Sequence, residues 1–447
     1  MKAGPEEGQP ARVSRRVGTK QAGDIRARWA WVEPAVWTDR MLAALQEGVK
    51  GGVWFSLIDK VYSMGSLRAS WQRVRSNRGS SGVDSQTVER FARDADQRLA
   101  RLSQSLKDGS YRPLPVRRVY IPKPGGRRRP LGIPAVADRI VQGSLRNVLE
   151  PIFERRFCPH SYGFRPGRGA KDALRRVDGL LKQGYRWVVD ADLQSYFDTI
   201  CHERLMERIK EQVADGRVLS LIEAFLKQGV LEGLRQWTPL QGTPQGAVIS
   251  PLLANIYLHP LDDLLREAGH EMTRYADDFV ILCRSSQEAQ RALALVEGWT
   301  EQAGLTLHPD KTGIVDMAEP GGFEFLGYHF ECGRRLPRKA SLQKLKDTIR
   351  RKTRRTSGHS LEAIIADVNR TLRGWFEYFK HSHVYVFGRL DAWIRMRLRS
   401  ILRKRIHLSG RGRGRDHHRW PNAFFAARGL FTMSRAHALA CQSHRVH

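Results

Sequence analysis

The chain has 447 residues, 41% of them hydrophobic, which is enough apolar mass for globular domains and excludes a compositionally disordered chain. Lys and Arg number 76 against 46 Asp and Glu, and the formal net charge of +30 points to a polyanionic partner, nucleic acid or an anionic surface. The five cysteines (Cys158, Cys201, Cys283, Cys332, Cys441) include no C-x-x-C pair, no apolar run nears the roughly 18 residues of a membrane span, and the N-terminus lacks a signal core, so a disulfide framework, a zinc ribbon and a transmembrane protein are not expected.

The opening stretch is polar and patternless and reads as a basic tail that leads into a first helix, together residues 1–60. From Trp37 to Asp94 apolar residues recur at three- and four-residue spacing, the mark of helices, broken by the Gly/Ser/Asn loop Ser76 to Asp84. Tyr111 to Pro134 holds two β-rich arms around PGGRRRP, a hairpin tip. A helix is expected over Asp138 to Phe157, then the loop SYGFRPGRGA, then a helix from Ala170 to Gln183. Trp187, Val188 and Val189 start a strand that ends in carboxylates, followed by helices over His202 to Ala214 and Arg217 to Gln228. Gln241 to Leu265 is a glycine-bearing loop running into a helix, with Ser250 as N-cap and Pro251 as first helical residue. RYADDFVILCRS reads as strand, tight turn, strand; a helix spans Ser286 to Ala303, and Phe323 to Phe330 reads as one further strand. Beyond Gly333 the composition shifts. Arg334 to Arg419 carries 25 Lys or Arg against 6 Asp or Glu, a net of +19, over helical patterns at Ser341 to Arg354, Leu361 to Phe379 and Leu390 to Arg405. That marks a separate basic helical module with its boundary near residue 335.

Asp277 and Asp278 stand in a turn against an apolar strand. Like charges that close raise each other's pKa unless a cation neutralises them, and Mg²⁺ is the natural cation for carboxylates, waters and substrate phosphates. Asp192, at the end of an earlier strand, supplies a third acid. Strand-end carboxylates on neighbouring strands can hold two metals about 4 Å apart, the arrangement for in-line nucleotidyl transfer.

At this point the chain resembles the reverse transcriptase–maturases of bacterial group II introns, of the type without an endonuclease domain. Eight motifs in family order carry the resemblance: NRGSSGVD, IPKPGGRRRPLGIP, SYGFRPGR, DADLQSYFD, GTPQG…SPLLANIYL, YADD, HPDKT and FEFLGY. It implies an α+β right-hand polymerase fold, with fingers and an antiparallel palm sheet over residues 61–335. A helical thumb/maturase domain over 336–410 and a short DNA-binding-like segment over 411–447 would follow. It implies an RNA-directed DNA polymerase that adds dNTPs to a DNA or RNA primer 3′-OH on an RNA template. The same protein would bind its intron RNA to assist splicing and, as a ribonucleoprotein, retrohoming at a DNA target. A bacterial, cytoplasmic, nucleoid-associated location follows from that reading.

The resemblance also assigns residues. Asp192, Asp277 and Asp278 match the catalytic triad, which with the Leu193 backbone carbonyl would hold two Mg²⁺ ions. Asp190 matches an acid outside the triad, and Asp198 starts or caps local structure. Phe197 matches the aromatic gate beneath the incoming sugar. Gln245 and Gly246 match the loop near nucleotide and template; Lys123 and Arg129 match the triphosphate grip; Lys311 matches a lysine that serves the pyrophosphate. Phe325, Leu326 and Gly327 match the primer grip. Arg127 and Arg128 suit the template backbone, and Arg395, Arg397, Arg399, Arg403, Lys404 and Arg405 suit RNA phosphates. Trp375, Phe376, Tyr378 and Phe379 read first as helix core. His417 and His418 lack cysteine pairs, so no metal nuclease is expected. Gln194 and Ser195 stand where relatives often carry Lys-Gly. Two alternatives remain: a non-catalytic splicing maturase, and a reverse transcriptase domesticated in defence or repair.

Overall fold

The computed structural model describes residues 26–49, 51–122, 128–410, 412 and 414–443. Eleven strands are named in chain order: β1 (Val116–Pro122), β2 (Arg128–Ile133), β3 (Trp187–Asp192), β4 (Val230–Glu232), β5 (Arg235–Trp237), β6 (Glu271–Tyr275), β7 (Asp278–Cys283), β8 (Gly313–Asp316), β9 (Phe323–Phe325), β10 (Tyr328–Glu331) and β11 (Arg334–Pro337). The class is α+β, as expected. The helical N-terminal pattern resolves into separate short helices, among them Asp39–Glu47 and Met64–Asn77, the latter stopping at Arg78 in the left-handed region.

β1 and β2 form the expected hairpin, paired from Arg117 with Ile133 to Pro122 with Arg128. Its tip, with Lys123 and Arg127, lies outside the described residues. β4 adds to β1 in parallel and β5 extends the sheet to the order β2-β1-β4-β5.

The palm sheet has the order β6-β7-β3-β8 and is antiparallel throughout. Its two faces follow from alternation along the strands. Val189, Ala191, Phe279 and Ile281 join the main core, which includes Leu253, Leu258 and Leu261 of the helix Ser250–Glu267 and Ala292 and Val296 of the helix Ser286–Gln302. Val188, Val280 and Leu282 face the other way, onto Phe323, Phe325, Tyr328 and Phe330. Each such fully buried side chain contributes roughly 1.5–3 kcal/mol, so both faces are firmly clamped. Asp190, Asp192 and Asp278 share this second face at its open end.

The single strand expected over Phe323 to Phe330 is instead a tight hairpin. Leu326 (φ +48°) and Gly327 (φ +81°) turn the chain back, so β9 and β10 pair antiparallel and β11 joins them. A non-glycine residue in the left-handed region is a local cost that an apolar pattern does not reveal.

The C-terminal module packs the helices Lys339–Lys352, Leu361–Phe379 and Tyr385–Arg405 around Ile349, Ile365, Val368, Leu372, Phe387, Ile394 and Leu398. Ser360 caps the second of these by accepting the Ala363 N–H at 3.1 Å. Phe376 and Phe379 are core residues, as read. Trp375 and Tyr378 do more: they pack with Tyr328 and Phe379 against the hairpin. Tyr378 donates its hydroxyl to the Leu326 carbonyl at 2.8 Å, and Tyr328 donates to the Tyr378 carbonyl at 2.7 Å. Among the described residues no helix is long and apolar enough to cross a membrane.

Candidate active site

β3 and β7 run antiparallel in a register that sets Asp192 directly opposite Asp278. β6 and β7 close over Ala276 and Asp277, with Tyr275 paired to Asp278. Asp277 therefore stands at the turn and Asp278 at the first strand position. The three acids expected to meet do meet.

Their electrostatics follow from crowding in a half-buried cleft. Burial, then the charges of Asp192 and Asp277, push the Asp278 carboxyl up to about 7. Burial, then Asp278 and Asp192, push Asp190 up to about 7 as well. Asp277 is also raised, by burial and then Asp192, with Arg129 and Arg274 pulling the other way. Asp190, two positions before Asp192, thus shares the field of the cluster. The Lys311 ammonium contacts the Asp192 carboxylate directly. Its loop is fixed by the His308 N–H donating to the Asp192 carbonyl at 2.8 Å and the Lys311 N–H donating to the His308 carbonyl at 3.1 Å.

A divalent cation fits this donor set. Mutually repelling hard oxygens gain from a shared cation, and a lysine ammonium already leans on one of them. Asp192, Asp277 and Asp278 would hold it. The Gln194 N–H bonds the Thr306 carbonyl, and His308 bonds Asp192, around the Leu193–Leu307 bridge; neither bond uses the Leu193 carbonyl.

Behind the acids, Ser195 (φ +52°) bends the chain into the short helix Tyr196–Thr199, which carries Phe197 and Asp198. The Phe197 ring meets Phe164 edge-on at 6.4 Å and Tyr196 at 5.6 Å. Its carbonyl accepts the Thr243 N–H at 2.7 Å, which brings the GTPQG loop beside it. The same loop docks on β2: the Gly132 N–H donates to the Gln245 carbonyl at 2.7 Å. Gly246 (φ +108°) lies so close to β2 that a Cβ there would stand 2.7 Å from the Gly132 oxygen. Ser250 does not cap its helix. Its hydroxyl donates to the Pro244 carbonyl at 2.9 Å and closes this loop, and the helix starts at Ser250 itself.

Arg128 and Arg129 are exposed at the start of β2, and the charge of Arg129 acts on Asp277. Phe325 is buried, while Leu326 and Gly327 form the turn of the β9–β10 hairpin. Phe325 packs in one apolar cluster with Val188 and Val280 of the palm sheet. The exposed Glu324 adds its charge to Asp190.

The basic residues of the last thumb helix need correction. Arg399 is 1% exposed, donates to the Trp420 carbonyl and Asn422 at 2.9 Å and lies over the Phe425 ring, so it is not available to a phosphate. Arg397 donates to the carbonyls of Thr353 and Arg350. Arg403 pairs with Asp416 at 2.9 Å, and Arg405 donates to the His359 carbonyl. Arg395 is half-buried, and Lys404 is exposed. Arg399 and Arg403 stitch the C-terminal segment to the helix, while Arg397 and Arg405 tie it to the end of the helix Lys339–Lys352 and the loop after it; helical spacing alone does not distinguish a stitched arginine from a solvated one.

The sequence reading missed Arg274. It is 0% exposed and bound to Asp262 and Asn255 of the helix Ser250–Glu267. The seven-residue spacing of those two, two helical turns, was the available signal. At the far end of β6–β7, His270, Cys283 and Glu288 bring their ligand atoms within 4.8 Å. Burial pushes the Cys283 thiol up to about 12, and Glu288 accepts the Arg284 N–H at 2.8 Å as part of a helix cap.

Comparison with known proteins gives two family matches. Residues 121–330 match the reverse transcriptase (RNA-dependent DNA polymerase) family, and residues 342–420 match the group II intron, maturase-specific domain. The chain is 36% identical to Protein YkfC of Escherichia coli (strain K12), over 59% of this chain and 78% of that one. It is 42% identical to the group II intron-encoded protein LtrA of Lactococcus lactis subsp. cremoris, over 46% of this chain and 34% of that one. The matched part thus spans about a third of LtrA. Among solved structures it is similar to telomerase from Candida albicans in complex with a fragment of telomeric RNA (TM-score 0.41, 13% identity, 71% of this chain and 64% of that one).

Proposed function

Because the chain belongs to the group II intron-encoded reverse transcriptase–maturases, a family of RNA-directed DNA polymerases, we propose that it extends a DNA or RNA primer on an RNA template with dNTPs, using two Mg²⁺ ions, and binds its own intron RNA to assist splicing and retrohoming. The observation that carries the polymerase reading is the Asp192–Asp278 cross-strand pair with Asp277 in the adjoining turn. The family in general uses divalent metal ions. When bound, such ions supply activation of the primer 3′-OH and neutralisation of pyrophosphate charge.

The chain's own residues do the rest. Asp192, Asp277 and Asp278 would hold the ions, with Asp190 adding negative field behind them. Arg129 and Lys123 grip the triphosphate, and Arg127 and Arg128 follow the template. Phe197 presents a flat ring beneath the sugar and excludes a 2′-OH. Gln245 and Gly246 let backbone approach the nucleotide. Lys311, beside Asp192, is placed to offer its proton or charge to the departing pyrophosphate. The β9–β10 turn at Leu326 and Gly327 supports the primer end.

The maturase-specific domain implies an intron-RNA partner. Its basic helical surface supplies phosphate contacts, with Lys404 and Arg405 the exposed cations of the last thumb helix run. Primer extension on an RNA template with dNTPs and Mg²⁺ tests the reading. Wild type extends; Asp277→Asn does not, while its intron RNA affinity stays within a few fold. Full extension by that variant sinks the assignment.

A further inference from the structure

Arg274 precedes Asp277 by three residues and is sealed from solvent together with its partner Asp262, both side chains 0% exposed. Its Nε donates to Asp262 Oδ1 at 2.6 Å, and one Nη donates to the other carboxylate oxygen. The remaining Nη is shared: it donates to Asn255 Oδ1 at 3.0 Å and to the Ala276 carbonyl at 2.9 Å. Ala276 is the residue between Tyr275 and Asp277, and it sits in the left-handed region (φ +62°). A non-glycine residue there is strained and persists only where its surroundings over-determine it.

The surroundings do so from a second side. The Arg274 N–H donates to the His160 carbonyl at 3.0 Å, and the Tyr162 N–H donates to the Arg274 carbonyl at 2.8 Å. That lays the SYGF segment along β6. Gly163 then lies so close that a Cβ on it would stand 2.2 Å from the Ala276 nitrogen. Asn255 closes the ring by donating from Nδ2 to the Gly163 carbonyl at 2.8 Å. Arg274, Asp262, Asn255 and Gly163 thus form one continuous brace around Ala276.

A buried ion pair is a poor device for stability alone, since well-packed apolar residues of similar volume often do as well or better. Apolar residues cannot hold a carbonyl. We propose that Arg274 is a positioning residue for nucleotidyl transfer: neutralised by Asp262 and aimed by Asn255, it fixes the Ala276 carbonyl and with it the direction in which Asp277 is presented. Lysine does not substitute, because a single ammonium lacks the planar fork that serves Asp262, Asn255 and Ala276 together. The inference rests on the polymerase reading above.

The test compares the full-length wild type, Arg274→Lys and the double variant Arg274→Met/Asp262→Leu in primer extension on an RNA template, with melting temperature and primer–template affinity measured in parallel. The double variant removes both charges together, so no unpaired charge is left buried, and it strips Asn255 Oδ1 and the Ala276 carbonyl of their shared donor. It is expected to melt within a few degrees of wild type and to bind primer–template within a few fold, yet to lose about a hundredfold in kcat, the scale of a 1 Å misplacement of a catalytic group. Arg274→Lys loses kcat similarly, and higher Mg²⁺ recovers part of it. A folded double variant with kcat within twofold of wild type overturns the proposal and reduces the pair to packing. If the double variant does not fold, Arg274→Lys decides by the same twofold criterion. A wild-type chain that extends no primer overturns the polymerase reading itself, a distinct result.

Discussion

Asp192 and Asp278 stand opposite one another across the β3–β7 ladder, the last residue of one strand facing the first of the other. Both carboxylates therefore leave the same face of the sheet, where apolar packing ends. In the absence of a cation this costs energy, and that cost is testable. Asp278→Asn is expected to abolish primer extension, by about a thousandfold or more, yet to raise the melting temperature of the metal-free protein at neutral pH. A lower melting temperature would show that the carboxylates are not in mutual repulsion.

A pH dependence follows. Asp278 and Asp190 are each pushed up to about 7, by burial first and then by neighbouring acids. Unfolded aspartates titrate at about 3.9. A carboxyl raised on folding contributes stability that is fully present below that value and is lost as pH climbs through the folded pKa. The metal-free protein should lose this contribution between about pH 4 and 7, and millimolar Mg²⁺ should raise the melting temperature more at pH 8 than at pH 6. The paired variant Asp190→Asn/Asp278→Asn should flatten both trends. Identical Mg²⁺ responses at the two pH values would contradict the assignment.

Lys311 competes with any cation for Asp192, because its ammonium contacts that carboxylate directly. Lys311→Gln should lower the Mg²⁺ concentration needed for half-maximal extension. The maximal rate should fall by about a hundredfold, as expected for loss of a positioned proton donor. A rate unchanged at saturating Mg²⁺ would remove the pyrophosphate role.

Phe197 is held edge-on to Phe164 and Tyr196, with its carbonyl pinned by Thr243. The ring has little room to swing aside. Phe197→Ala should weaken discrimination against ribonucleotides by about a hundredfold, the scale on which a shaped apolar wall rejects an added hydroxyl. The ratio of kcat/KM for dATP and ATP measures it, and an unchanged ratio would return Phe197 to ordinary packing.

In the thumb, two cations separate structure from binding. Arg399→Ala should cost about 2–4 kcal/mol of stability, since it removes packing and leaves the Trp420 carbonyl and Asn422 unsatisfied. Lys404→Ala should leave the melting temperature alone and reduce the salt slope of intron RNA binding by about one. The reverse pattern would exchange their roles.

These contrasts mark what the sequence could carry. The meeting of Asp192, Asp277 and Asp278 was legible because strand-end acids beside Val188-Val189 and Phe279-Val280-Ile281 break an apolar pattern abruptly. The β9–β10 hairpin was not, because Leu326 adopts a left-handed conformation that its type does not advertise. Ser250 was misassigned because a hydroxyl that closes a loop and one that caps a helix look alike in one dimension. Arg274 was passed over and Arg399 misjudged for a shared reason. Composition treats arginine as surface, whereas burial depends on partners such as Asp262 or the Trp420 carbonyl that lie far off in the chain or across a fold.

The reciprocal hydroxyl bonds of Tyr328 and Tyr378 have a mechanical consequence. Each ring donates to the other's segment, so the turn at Leu326 and the end of the helix Leu361–Phe379 are bolted at two points rather than hinged at one. Displacement of that helix is therefore carried to the turn at Leu326 and Gly327, the proposed support of the primer end. The C-terminal module and the palm are tied again where Lys171 pairs with Glu377 at 2.7 Å, so the joint does not rest on the two tyrosines alone.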